Sequence, residues 1–280
     1  MDATCFNVEP AASAAWHGDA PAAASQLPRL AGPVRGTMRL RGIMPLRGIM
    51  PLRGIMLDTA DMFYDATLWQ RWLARLIGHL GLAVDYAAFF DAWQRDYLVD
   101  VNRGRRETTE ALQAFLLASG LSWAQIDEIE AASRIRRQNL ESHLRPLPGV
   151  VSTIAALASS NVALLAWADI PQPAAQLAAR FERLGLAHRF HSILTSFDVE
   201  RAQPEPQCYR AALDALQLAE REVLYVGHDA RHLAGARAAG LRTVAFQGGA
   251  KADFYLPRFV DLLDMVKTLA VESGVKGNGR

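Results

Sequence analysis

From residue 52 onward, apolar and polar positions change period in a regular order along the chain. Ile55–Leu57 form a short apolar run that ends at Asp58, the pattern of a buried strand. Between residues 66 and 143 apolar side chains recur at helical spacing, first Leu68, Trp72, Leu76 and Leu80, then Phe89, Trp93 and Tyr97. Turn residues stand near Gly81, Asn102–Gly104 and Gly120, and Pro146, Pro148 and Gly149 end the block. The remainder alternates. The pattern predicts a helix over 150–159, a strand over 161–166, a helix over 172–184 and a strand over 192–196. A helix over 206–216, a strand over 222–227, a helix over 230–239, a strand over 242–246 and a last helix over 256–271 follow. Strands alternating with helices of this length imply βαβ units, a parallel sheet and an α/β, Rossmann-like fold. The helical block after the first strand has no place in such a sheet and is expected to be an inserted α-helical cap. The core then comprises residues 52–65 and 146–280, and the cap residues 66–145.

Residues 1–36 are rich in Ala, Pro and Ser without a hydrophobic period, which predicts a disordered extension. LRGIMP stands at 40–45 and again at 46–51, and LRGIM returns at 52–56. This is the mark of a slipped duplication of one strand-coding segment; only the third copy runs into an acid, Asp58. The extension is therefore expected to cover 1–51, with Met38, Met44, Met50 and Met56 as alternative starts.

Composition narrows the function classes. Of 280 residues 51% are hydrophobic and 21% charged, as in a soluble globular protein. Thirty basic residues against 29 acidic leave a net charge of +1, without the basic excess that nucleic acid or an anionic membrane requires. Cys5 and Cys208 have neither metal nor disulfide spacing, no apolar run approaches the ~20 residues of a membrane helix, and the acidic start does not read as a secretion signal. A cytoplasmic location is expected.

In an open parallel sheet, ligands bind beyond the carboxyl ends of the strands. Four segments lie there: Asp58–Asp61, Ala166–Asp169, Ser196–Gln203 and Gly227–Asp229. The stretches LDTADMFYDAT, RPLPGVVSTIAALA, RFERLGLAHRFHSILTSFDVERAQPEPQCYRAALDAL and VLYVGHDARHLAGARAAGLRTVAF resemble, in order and spacing, the motif regions of the haloacid dehalogenase-like (HAD) hydrolase superfamily. The resemblance covers residues 52 to about 247 and implies a HAD-like core with a helical cap.

It also implies roles. Asp58 takes the place of the nucleophile that forms an aspartyl-phosphate. The general acid two residues on is replaced by Ala60, which has no proton to give. The hydroxyl of the second motif falls on Ala166, beside the bulky Trp167, and the lysine of the third motif on neutral Gln203. The two acids that hold Mg²⁺ fall on His228 and Leu233. Asp229 is a substitute metal ligand or simply a helix N-cap, with His232 in the first turn; Asp58, His228, Asp229 and His232 are alternatively a site for a zinc-like ion. Arg103, Arg105 and Arg106 read as a solvated turn, and the cap's Trp and Phe residues as its core. Losing these groups together predicts a pseudoenzyme without a cofactor, whose cap–core cleft binds a protein partner or small ligand. The alternative is a working hydrolase of phosphatase type with Mg²⁺, or of dehalogenase type, using Asp58 with rearranged partners. Dehalogenases of the superfamily need neither metal nor the acid at 60, but keep the lysine and a polar second motif. A third possibility is a structural protein that docks through its cap or extension.

Overall fold

The computed structural model describes residues 51–274. All of the expected extension except Pro51 lies outside these residues. The described chain opens with β1 (Gly54–Asp58), cut from the third LRGIM copy. Five helices follow: α1 (Leu68–His79), α2 (Tyr86–Ala92), α3 (Val99–Asn102), α4 (Thr108–Ala118) and α5 (Trp123–His143), with a π-helical turn at Trp93–Leu98 between α2 and α3. Then come α6 (Val150–Ala158), β2 (Ala163–Ala168), α7 (Ala174–Arg183), β3 (Ser192–Thr195), α8 (Ser196–Val199) and α9 (Pro206–Leu216). The chain closes with β4 (Val223–Gly227), α10 (Ala230–Ala238), β5 (Arg242–Phe246), β6 (Phe254–Leu256) and α11 (Leu262–Gly274).

The six strands form one parallel sheet in the order β3-β2-β1-β4-β5-β6. Parallel strands covered by helices on both faces are apolar throughout, which is why β1 and β4 are buried at every position. The pleat separates two cores. Ile55, Leu57, Leu164 and Val226 face one cluster with residues of α6, α7 and α11, such as Ile154, Phe181 and Leu262. Met56, Leu165, Trp167 and Tyr225 face the other with Tyr209 of α9 and Leu233 of α10. Helices α1 to α5 have a cluster of their own built on Leu73, Ile77, Phe89, Trp93, Phe115 and Ile126. No helix among the described residues is long and apolar enough to cross a membrane.

Two boundaries differ from expectation. The second strand is Ala163–Ala168, two residues later than 161–166, because VALLAWA is apolar throughout and no alternation marks where the strand stops. The last helix starts at Leu262, not 256. Pro257 favours an extended residue before it, and Phe254–Leu256 accordingly add a sixth, edge strand with Tyr255 turned outward.

Candidate active site

Asp58 ends β1, the central strand, and its register partner in β2 is Trp167. Neighbours in a parallel register point the same way, so Asp58 shares the face of Met56 and Trp167 and lies above Tyr225 of β4. Its carboxylate, 3% exposed, sits on the floor of a cleft of about 260 Å³. Asp61, Asn102, Asp169, Gln203, His228 and His232 also line that cleft.

Asp58 Oδ2 meets His232 Nδ1 at 3.4 Å and accepts a long hydrogen bond from the Tyr225 hydroxyl at 3.5 Å. Gln203 Nε2 donates to the same hydroxyl at 3.2 Å. On its other side, His232 Nε2 faces Asp169 Oδ2 at 3.9 Å. Asp169 is the residue immediately after β2, held by the Trp167 indole N–H and the Gln203 backbone N–H, each at 3.2 Å to Oδ1. One imidazole thus bridges two carboxylates. Burial pushes the His232 pKa down, but the hydrogen bond and charge of Asp58, with Asp169 and Asp229 behind it, outweigh burial and leave it raised. Burial also pushes the Asp169 carboxyl up, to about 6, against the pull of His232. Asp61, in the left-handed conformation at φ 54°, accepts from the Ala66 N–H, yet burial raises its pKa too.

The structure brings Asp58, Ala60, Gln203, His228 and Asp229 to this cleft, but neither Ala166 nor Leu233. Ala166 lies two residues short of the end of β2 and, by the pleat, faces the opposite core with Leu164 and Ala168. The residue that follows β2 directly, Asp169, reaches the cleft instead. Leu233 is fully buried among Met56, Tyr209 and Ala236. The helical turn puts the preceding residue, His232, over Asp58. Neither Trp167 nor Leu233 plugs the cleft; both belong to the core beneath it. Asp229 is the N-cap of α10, accepting from the Arg231 and His232 N–H groups at 2.7 and 3.1 Å and pairing with the Arg231 guanidinium. Among Arg103, Arg105 and Arg106, Arg103 is not a solvated residue: it donates to Glu205 of the core at 2.6 Å.

Three contributors were not legible as such. Asp169 carried a signal, an acid directly after an apolar run, once the strand end is set correctly. Tyr225 is a phenol inside a buried strand, where only the cost of burying an unpaired hydroxyl hints at a partner. Asn102 comes from the cap and reads in sequence as a turn residue.

These donors do not suit Mg²⁺, which demands near-octahedral oxygen ligands. Of its two expected acid positions, one holds the imidazole of His228 and the other the buried Leu233, while Asp229 is engaged as a cap and Asp58 Oδ2 faces His232. Among the described residues no cluster of three or more His, Cys, Asp or Glu side chains has the geometry to hold a metal.

A family model described as haloacid dehalogenase-like hydrolase matches residues 41–240. A phosphoglycolate phosphatase of Pectobacterium atrosepticum is 25% identical over 54% of this chain and 71% of its own length. Among solved structures, a HAD-hydrolase of Bacillus subtilis bound to magnesium is 18% identical with a TM-score of 0.59, covering 78% of this chain and 99% of that one. A 2-haloacid dehalogenase of Pseudomonas syringae pv. tomato is 19% identical with a TM-score of 0.51, covering 78% and 98%. The two structures share the fold.

Proposed function

The chain belongs to the haloacid dehalogenase-like hydrolase family, and on that premise we propose that it is a metal-independent hydrolase of the dehalogenase type with Asp58 as covalent nucleophile. One observation carries this: the Asp58 carboxylate lies on the floor of an open cleft with its charge met by His232, 3.4 Å away. The imidazolium occupies the role that a metal and a lysine fill in phosphoryl transfer. A phosphate dianion is a poor substrate for this cleft. It brings two negative charges to a site with one shared cation, and Ala60 cannot protonate an alkoxide leaving group.

A halide needs no proton to leave. Asp58 Oδ attacks the carbon that bears it, the C–O bond forms, the C–X bond breaks, and the halide departs with the bonding pair. Water then attacks the carbonyl carbon of the Asp58 ester. Asp169, with a carboxyl near 6, takes a proton from the water at neutral pH; the ester C–O bond to the acyl carbon then breaks, Asp169 returns that proton to the departing alkoxide, the alcohol leaves, and Asp58 is restored as the carboxylate with the second proton released to solvent. The polar second-motif group and the cation that this chemistry calls for are Asp169 and His232.

A binding protein without turnover is favoured by one observation, the neutral Ala60 and Gln203 at acid and lysine positions. Halide release from a panel of 2-chloro carbonyl compounds separates the two. The expected result is release that survives a chelator and is abolished in Asp58→Asn. No release from any member, or phosphate release from small esters that depends on Mg²⁺, overturns the proposal.

A further inference from the structure

Two buried side-chain acceptors at the cleft have nothing to accept. Asn102, carried by the cap at the end of α3, is 6% exposed; Gln203, in the core before α9, is 7% exposed. Both line the cleft, and neither Asn102 Oδ1 nor Gln203 Oε1 has a hydrogen-bond partner. The Gln203 amide is oriented by its neighbours. Tyr225 has a single hydroxyl proton, directed at Asp58, so its oxygen accepts from Gln203 Nε2 and leaves Oε1 free. A buried acceptor without a partner retains its desolvation penalty until a ligand donor arrives.

The charges of the cleft point the same way. Asp58, Asp61, Asp169 and Asp229 line it; its arginines and His232 are already engaged, which leaves the single imidazole of His228, whose Nδ1 has no partner, against four carboxylates. His232 lies between Asp58 and Asp169, Arg231 is paired with Asp229, and Arg95 with Asp91 and Asp96. An anionic head group entering here meets lone pairs and carboxylates. A neutral carboxamide meets the same acceptors with N–H donors.

We propose, building on the hydrolase reading above, that this cleft takes a carboxamide as the group beside the reacting carbon, so that its substrates are 2-halo carboxamides and not 2-halo acids. The amide N–H groups supply the donors that Asn102 Oδ1 and Gln203 Oε1 lack. Because Asn102 belongs to the cap and Gln203 to the core, the substrate is held by both.

Two measurements on the full chain test this. Halide release from 2-chloropropionamide should exceed that from 2-chloropropionate by at least about tenfold in kcat/KM, as expected when buried acceptors are paired in one case and opposed in the other. Asn102→Leu should raise KM for the amide about tenfold with kcat little changed, the signature of lost uniform binding. Separately, saturation-transfer NMR with unreactive propionamide and propionate reads recognition without chemistry. Propionamide binding in preference to propionate supports the inference even if no halide is released, in which case only the hydrolase reading falls. Preference for the carboxylate in either measurement, or no binding of propionamide, overturns the inference, and halide release from the acid would leave the hydrolase reading standing.

Discussion

At the scale of residues, the site is a chain of polar contacts: Gln203 donates to Tyr225, Tyr225 donates to Asp58, and His232 lies between Asp58 at 3.4 Å and Asp169 at 3.9 Å. Two of its members link the site to stability through pH. Folded His232 keeps its proton above the pH, about 6.5, at which the unfolded imidazole releases it. Its contribution is therefore complete below about 6.5 and lost as pH rises through the raised folded value. Folded Asp169 keeps its proton to about 6, whereas an unfolded aspartic acid loses it near 4. Between those values the folded state binds more protons, so stability again falls as pH rises. Both groups act in the same direction, and Asp229, whose depressed pKa acts oppositely, does so only below about 4. Denaturation midpoints at pH 5 and 8 should fall further for the wild type than for an Asp169→Asn, His232→Gln double variant. Equal falls would show that the imidazole does not bridge the two carboxylates.

The elements around the site were legible to different degrees. Alternation of apolar runs with helical stripes was enough to place β1, β4 and β5 within a residue or two, because each is bounded by Gly, Pro or a charged turn. It missed the end of β2 by two residues, where seven consecutive apolar residues carry no frame, and so gave no sign that Asp169, directly after the strand, lines the cleft while Ala166 does not. At α10 helical geometry separates two neighbouring residues: Leu233 is fully buried among Met56, Tyr209 and Ala236, and His232 faces Asp58. The cap of α10 is what fixes that facing, since Asp229 receives the His232 backbone N–H itself. Asp229→Ala should cost about 1 kcal/mol of stability, the usual loss of an N-cap. It should also slow halide release by loosening His232. Asp229→Asn or Asp229→Ser, which can still cap, should restore stability in denaturant titrations and most of the rate; failure to do so would mean that the carboxylate itself takes part.

Taken whole, the molecule is a six-stranded parallel sheet with a helical insertion whose residues reach the cleft mouth. The insertion is tied to the core at two points. Arg103 donates to Glu205 at 2.6 Å, next to a Ser196 hydroxyl that donates to the Asn102 carbonyl at 2.9 Å. Arg180 of α7 joins Glu141 of α5 to Tyr64 at 2.8 and 3.0 Å. The first of these ties holds Asn102 in the lining of the cleft that contains Asp58. None of it was visible in the sequence, because contacts between residues 39 to 116 positions apart leave no periodic trace. What the sequence did carry was the order of the motif regions and the position of Asp58 at the end of the central strand.

That residue also offers the most direct test. A single turnover of excess protein with 2-chloropropionamide, and in parallel with 2-chloropropionate, in H₂¹⁸O, followed by mass spectrometry of the peptide containing Asp58, locates the oxygen that water delivers. Water attacking the ester carbonyl leaves one ¹⁸O in the Asp58 carboxylate and ¹⁶O in the first product, and this is the result the covalent mechanism predicts. ¹⁸O in the product with an unlabelled Asp58, or no conversion at all, would contradict it.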